Sequence, residues 1–235
     1  MTFAPNTTLT AKNLGRRTGK VEFIVLHDTA GSGTENDAKY LANDPERRGI
    51  SVDFCIDKSG TIWQLNPDLD HRCTFHAGRH THYSKNGVVY ENGGVNQHSV
   101  GIEIAQKADL SKAGIPLYPD AQLRAVAETC KFLCDKFGLT AKDITTHKAI
   151  ITDGSRTDPR SFNWAAFWAF FGSNPPADNI PQPSVTGALT IQVKPGDTLW
   201  SLSQRYGTPI EQLKGWNNMN APESVLLAGQ LLRVK

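Results

Sequence analysis

The chain has 235 residues, 39% hydrophobic and 20% charged, with a formal net charge of +2. That is enough apolar material for a globular core, and enough length for one large domain or a medium domain with a small companion. Twenty-five basic against 23 acidic residues give no electrostatic case for nucleic acid, and no run approaches the roughly eighteen apolar residues of a membrane span.

In chain order, the first twenty residues contain no apolar signal-peptide core, so the expectation is a product with no membrane insertion that is cytoplasmic when made, or exported by a route the sequence does not encode. VEFIVLH, residues 21–27, is a short apolar run rich in β-branched side chains and predicts a buried strand ending at His27. Residues 34–43 suit a helix with Thr34 as N-cap. VDFCID (52–57) and TIWQL (61–65) flank Lys58-Ser59-Gly60 and read as a hairpin. SVGIEIA (99–105) is a further strand, on which Ile102 and Ile104 share one face and Glu103 points to the other.

The clearest helix is 120–138. Leu123, Val126, Ala127, Cys130, Leu133, Cys134 and Phe137 form one buried stripe at i, i+3, i+4 spacing, and Gly138 supplies a C-cap. SFNWAAFWAFF (161–171) reads as a second, aromatic helix. The four cysteines match no zinc knuckle or disulfide scaffold and read as small buried hydrophobes in a reducing compartment. Trp63 and Trp164 are assigned to the core.

From Gly172 the composition changes. GSNPPADNIPQPSVTGA reads as an extended linker. Beyond it LTIQV starts a strand, Asp197-Thr198 caps a helix running through Tyr206, Pro209 opens a second helix, and LLRVK closes as a strand. The expected layout is a catalytic domain over 1–171, a linker over 172–188 and a β-α-α-β unit over 189–235, at the small end of what supports its own core.

Two histidines and a carboxylate stand out: His27 at a strand end, His147 in a loop, and Asp158 before Pro159. Two imidazoles and a carboxylate make a three-ligand zinc set with the fourth tetrahedral position open, the arrangement of a catalytic rather than a structural metal. Among seven histidines the spacing alone is unspecific. The order FIVLHDTAG, FHAG, SVGIEI, TH and RTDPRSFNW, spread over residues 21–164, is more telling. It resembles the zinc-dependent N-acetylmuramoyl-L-alanine amidases, the family that includes phage amidases and peptidoglycan recognition proteins.

That resemblance implies an α/β fold, with a mixed central sheet flanked by helices. It implies one Zn2+ held by His27, His147 and Asp158, with Glu103 as general base. It puts Arg156, where the family commonly has lysine, beside the negative charge that develops on the substrate oxygen. The implied reaction cleaves the amide between N-acetylmuramic acid and L-alanine of the stem peptide. His76, in FHAG, is either a substrate contact or a buried histidine with a satisfied hydrogen bond. His71, His80, His82 and His98 are read as surface or loop residues.

The tail VKPGDTLWSLSQRYGTPIEQLKGWNNMN…LLAGQLLRV is similar to LysM modules. The resemblance implies a shallow glycan groove around Gly196, Asp197, Thr198, Leu199 and Asn218, and peptidoglycan as the partner. Together the two resemblances imply a monomeric peptidoglycan hydrolase, best matched by a phage or prophage endolysin. A bacterial autolysin or recycling amidase, or a non-catalytic peptidoglycan-binding protein, is the alternative.

Overall fold

The computed structural model describes residues 3–107, 118–172, 190–193, 197–217, 219, 226 and 231–234. They fall into two compact units that divide between residues 181 and 182. Apart from Gly172, the expected linker lies outside the described residues.

The first unit runs β1 (Gly15–Arg16), β2 (Phe23–Asp28), α1 (Glu35–Asn43), β3 (Phe54–Ile56), β4 (Ile62–Gln64), β5 (Arg72–Cys73), β6 (His82–Lys85) and β7 (Val88–Glu91). It continues with α2 (Gly93–His98), β8 (Ser99–Ile104), α3 (Asp120–Phe137), a 3-10 turn at Ala141–Asp143, β9 (Ile144–Thr146), α4 (His147–Ile150) and α5 (Trp164–Phe171). The main sheet has five strands in the order β4-β3-β8-β2-β9. Strands β3, β8, β2 and β9 are parallel and β4 is antiparallel, which makes the sheet mixed, as expected.

Alternation along the strands separates two faces. Ile24, Leu26, Phe54, Ile56, Ile102, Ile104 and Ile144 join Leu123, Val126, Cys130 and Leu133 of α3, with Phe167 and Trp168 of α5, in one buried cluster. The 18-residue α3 ends at Gly138, whose φ of 67° is the left-handed conformation that glycine adopts without a Cβ clash. All four cysteines are buried. The opposite face carries Phe23, Val25 and His27 from β2, with Glu103 and Gly101 from β8.

Five strands (β1, β5, β6, β7 and β9) and two short α-helices (α2 and α4) escape the sequence reading. The hairpin β6–β7 turns at Asn86-Gly87, both at positive φ, which is the sequence signal for a tight hairpin. β9 and α4 correct the placing of His147 in a loop: it opens α4 directly behind β9. The aromatic helix starts at Trp164 rather than residue 161, because Asn163 caps it by accepting from the Ala166 amide.

In the second unit β10 (Thr190–Gln192) pairs antiparallel with β11 (Leu231–Arg233) around α6 (Leu199–Tyr206) and α7 (Ile210–Trp216). Val193, Leu202, Leu213, Leu232 and Val234 form its own small core. Thr198 caps α6 in a capping box with Ser201. Among the described residues no helix is long and apolar enough to cross a membrane.

Candidate metal centre

Three neighbouring parallel strands end at one level. Register pairs His27 with Glu103 across β2 and β8, and Leu26 with Thr146 across β2 and β9. His27, Glu103 and His147 therefore emerge side by side at the carboxyl ends of the strands, where open α/β sheets place their ligands. The chain then returns through the bend at Asp153-Gly154 to bring Asp158 over the same point. The peptide bond from Asp158 to Pro159 is cis.

The donor atoms converge. His27 Nδ1 lies 3.0 Å from His147 Nδ1, and Asp158 Oδ2 lies 3.3 Å and 3.1 Å from these two nitrogens. Tetrahedral zinc with bonds of about 2.0–2.2 Å separates its ligand atoms by about 3.3–3.6 Å. The triangle is a few tenths of an ångström tighter than that, so a small opening accommodates a divalent ion. The geometry thus provides a possible metal site of two imidazoles and one carboxylate.

Electrostatics agree with this use. Burial lowers the affinity of His27 for a proton, although the hydrogen bond to Asp158 works the other way. Burial also opposes ionisation of Asp158, but the bonds to His147 and His27 outweigh it and hold the carboxyl well below the usual range. Neutral imidazole and ionised carboxylate are the forms that ligate a metal. Glu103 behaves oppositely: burial above all, then the charges of Asp158, Asp28 and Asp37, raises it from 4.5 to about 8. Its Oε2 is buried with no hydrogen-bond partner among the described residues.

These groups floor a cavity of about 530 Å³ that Arg156 and His76 also line, with Tyr40, Arg48, Ile50 and Phe75 along its wall. Arg156 is exposed and makes no hydrogen bond or ion pair among the described residues. His76 is half-buried, with Nδ1 3.0 Å from His27 Nε2. In the second unit the Asp197 side chain is 6% exposed and ion-paired to Arg205 at 3.2 Å, Thr198 is the helix cap, and Leu199 packs against the small core. Gly196 and Asn218 lie outside the described residues.

The sequence reading missed Arg160, two positions beyond Asp158. Its backbone N–H, Nε and Nη2 all donate to Asp28, the residue after His27, whose side chain is 1% exposed. This fork clamps the Asp158 segment onto the end of β2. Arg160→Ala should cost about 3 kcal/mol of stability, because it leaves a buried carboxylate with the backbone N–H but without its guanidinium counter-charge. Denaturant titration of the metal-free protein checks this, and a variant as stable as the parent would remove the clamp.

A family model described as N-acetylmuramoyl-L-alanine amidase matches residues 17–161, and a LysM domain model matches residues 191–235. The N-acetylmuramoyl-L-alanine amidase XlyA of Bacillus subtilis (strain 168) is 28% identical over 221 residues, which make up 90% of this chain and 60% of that protein. The chain spans less than two thirds of the length of the first curated relatives it matches. Among solved structures, an AmpD derivative superposes with a TM-score of 0.54 at 25% identity, covering 72% of this chain and 95% of that one. AmiD from E. coli, solved with anhydro-N-acetylmuramic acid-L-Ala-D-gamma-Glu-L-Lys, shares the fold with a TM-score of 0.52 at 22% identity, covering 81% of this chain and 73% of that one. With its larger domain matched over more than half of the sequence, and the strand ends and side chains in the places described, the chain belongs to the N-acetylmuramoyl-L-alanine amidase family and carries a LysM domain behind the amidase domain.

Proposed function

We propose that the protein is a zinc-dependent peptidoglycan hydrolase that cleaves the amide between the lactyl group of N-acetylmuramic acid and L-alanine. In this reading it works on intact wall, as a phage or prophage endolysin does. The observation that carries it is the triangle of His27, His147 and Asp158 donor atoms on the floor of the cavity.

His27 Nδ1, His147 Nδ1 and Asp158 Oδ2 would hold the metal. A zinc ion there would acidify water, polarise the scissile carbonyl and draw the Glu103 carboxyl back towards its ionised form. Glu103 takes the proton of the attacking water on Oε2, which has no partner among the described residues, and passes it to the departing amide nitrogen, so the proton count closes. The exposed Arg156 guanidinium, which lines the cavity and has no hydrogen-bond partner among the described residues, donates to the oxygen on which charge develops. Arginine in this position offers a planar fork instead of a lysine's point charge. Tyr40, Ile50 and Phe75 give the stem peptide and sugar apolar faces, and Phe75 is 40% exposed.

The domains are taken as a catalytic unit over 1–171 and a wall-binding unit over 189–235, joined by residues 172–188, and the protein as a monomer. Tethering raises the local concentration of the enzyme at the polymer, by about 10²–10⁴ in avidity when both sites engage together. A chain ending at residue 181 should therefore lose at least about 10-fold in rate on whole walls while keeping its rate on soluble muropeptides. Equal losses on both substrates would remove the anchoring role. Mass analysis of digested purified peptidoglycan tests the reaction itself. Free L-alanine amino termini with intact glycan strands are expected; cut glycan or peptide cross-links would overturn the assignment.

A further inference from the structure

Behind the metal centre lies a second layer of hydrogen bonds whose direction can be followed from one end. Ser99 Oγ donates to the Val95 carbonyl at 2.6 Å, so its remaining capacity towards His76 is as acceptor. His76 Nε2, 3.0 Å away, must then carry the proton and donate to Ser99. That leaves His76 Nδ1 as an acceptor, 3.0 Å from His27 Nε2, which must donate to it. The only lone pair left on His27 is at Nδ1, the atom that points to His147 and Asp158.

The next residue does the same for the other histidine. Ala77 O accepts from His147 Nε2 at 3.1 Å, leaving the His147 lone pair also at Nδ1. Residues 76 and 77 are themselves pinned, since both backbone N–H groups donate to Oδ1 of the buried Asn96, at 3.1 and 2.9 Å. Room for the His76 ring depends on Gly101, where a Cβ would come within 2.5 Å of the imidazole.

We infer that His76-Ala77, held by Asn96 and Ser99, is a positioning template that fixes the tautomer and ring orientation of both metal-binding histidines. His76 acts through His27: both of its ring nitrogens are engaged within the protein, so a ligand in the cavity meets only its ring edge. The inference rests on the metal reading above. It adds that affinity for the ion is built from this layer, as outer partners of metal-bound imidazoles generally contribute 10–100-fold.

The test is zinc affinity of the full chain by competition with a chromophoric chelator, beside long-range 1H–15N spectra of the zinc-loaded protein. His76→Leu should weaken zinc binding about 10- to 100-fold. Ser99→Ala should weaken it several-fold. His76→Asn, which puts an oxygen acceptor near the place of Nδ1, should recover part of the loss; a purely space-filling role predicts no such rescue. The spectra should show His27 protonated at Nε2 and bound through Nδ1. Tight zinc binding by the parent with affinities within twofold in all three variants, or His27 bound through Nε2, overturns the template and leaves the metal reading standing. A parent that takes up no zinc overturns both. If His76→Leu does not fold, Ser99→Ala and the parent's spectra decide.

Discussion

His27→Ala is expected to abolish wall lysis, lowering the rate by more than about 10³-fold, while binding to insoluble peptidoglycan through the C-terminal unit persists. The metal-assisted step is worth several kcal/mol, and each 1.36 kcal/mol is tenfold in rate. His27 is 1% exposed, on strand β2 between β8 and β9, with one ring nitrogen on the donor triangle and the other on His76. Alanine removes one of three donors and leaves His147 and Asp158, too few to hold zinc in a tetrahedral site with one open position. A thermal readout accompanies the lytic one. A ligand at about 1,000 times its Kd stabilises the folded state by about 4 kcal/mol. Zinc should raise the Tm of the parent and leave that of His27→Ala unchanged. Turbidity of a wall suspension, zinc content and melting temperature measure the three effects, and full lytic activity in the variant would exclude the metal mechanism.

Glu103→Gln should retain zinc and lose about 10²–10⁴-fold in turnover, the usual contribution of a positioned general base. The amide keeps the size and polarity of the side chain but cannot accept the proton of the attacking water. A wild-type rate would take Glu103 out of its role. The same substitution has a signature in the metal-free protein. Burial, with the charges of Asp158, Asp28 and Asp37 added, raises the folded-state value from 4.5 to about 8. Folding therefore favours the protonated form. The stability this group contributes is fully present below about pH 4.5 and is lost as pH rises through about 8. Thermal unfolding of the metal-free parent should show that decline, and Glu103→Gln should flatten it because glutamine does not titrate. Parallel pH profiles for the two proteins would mean that Glu103 is not held in its neutral form.

Much of this protein is legible in one dimension. The run up to His27 is apolar and β-branched, and it is a strand; the stripe from Leu123 to Cys134 has helical spacing, and α3 buries it against the sheet. The C-terminal unit follows its pattern of strand, capped helix, second helix and strand. Local chemistry decides such elements, because side-chain periodicity, caps and turn residues act within a few positions of themselves. β9 is different. Three residues, two of them threonines, carry no periodic signal, and they become a strand only by pairing with β2, about 120 positions away. The clamp from Arg160 to Asp28 spans 132 positions and the bond from His76 to His27 spans 49, so neither has a local trace. The motifs could nominate His27, His147 and Asp158. Bringing their donor atoms within 3.3 Å of one another required strand register and the clamped return of the Asp158 segment. Such an alignment exists only once the sheet has assembled, because each ligand is positioned by contacts remote from it along the chain.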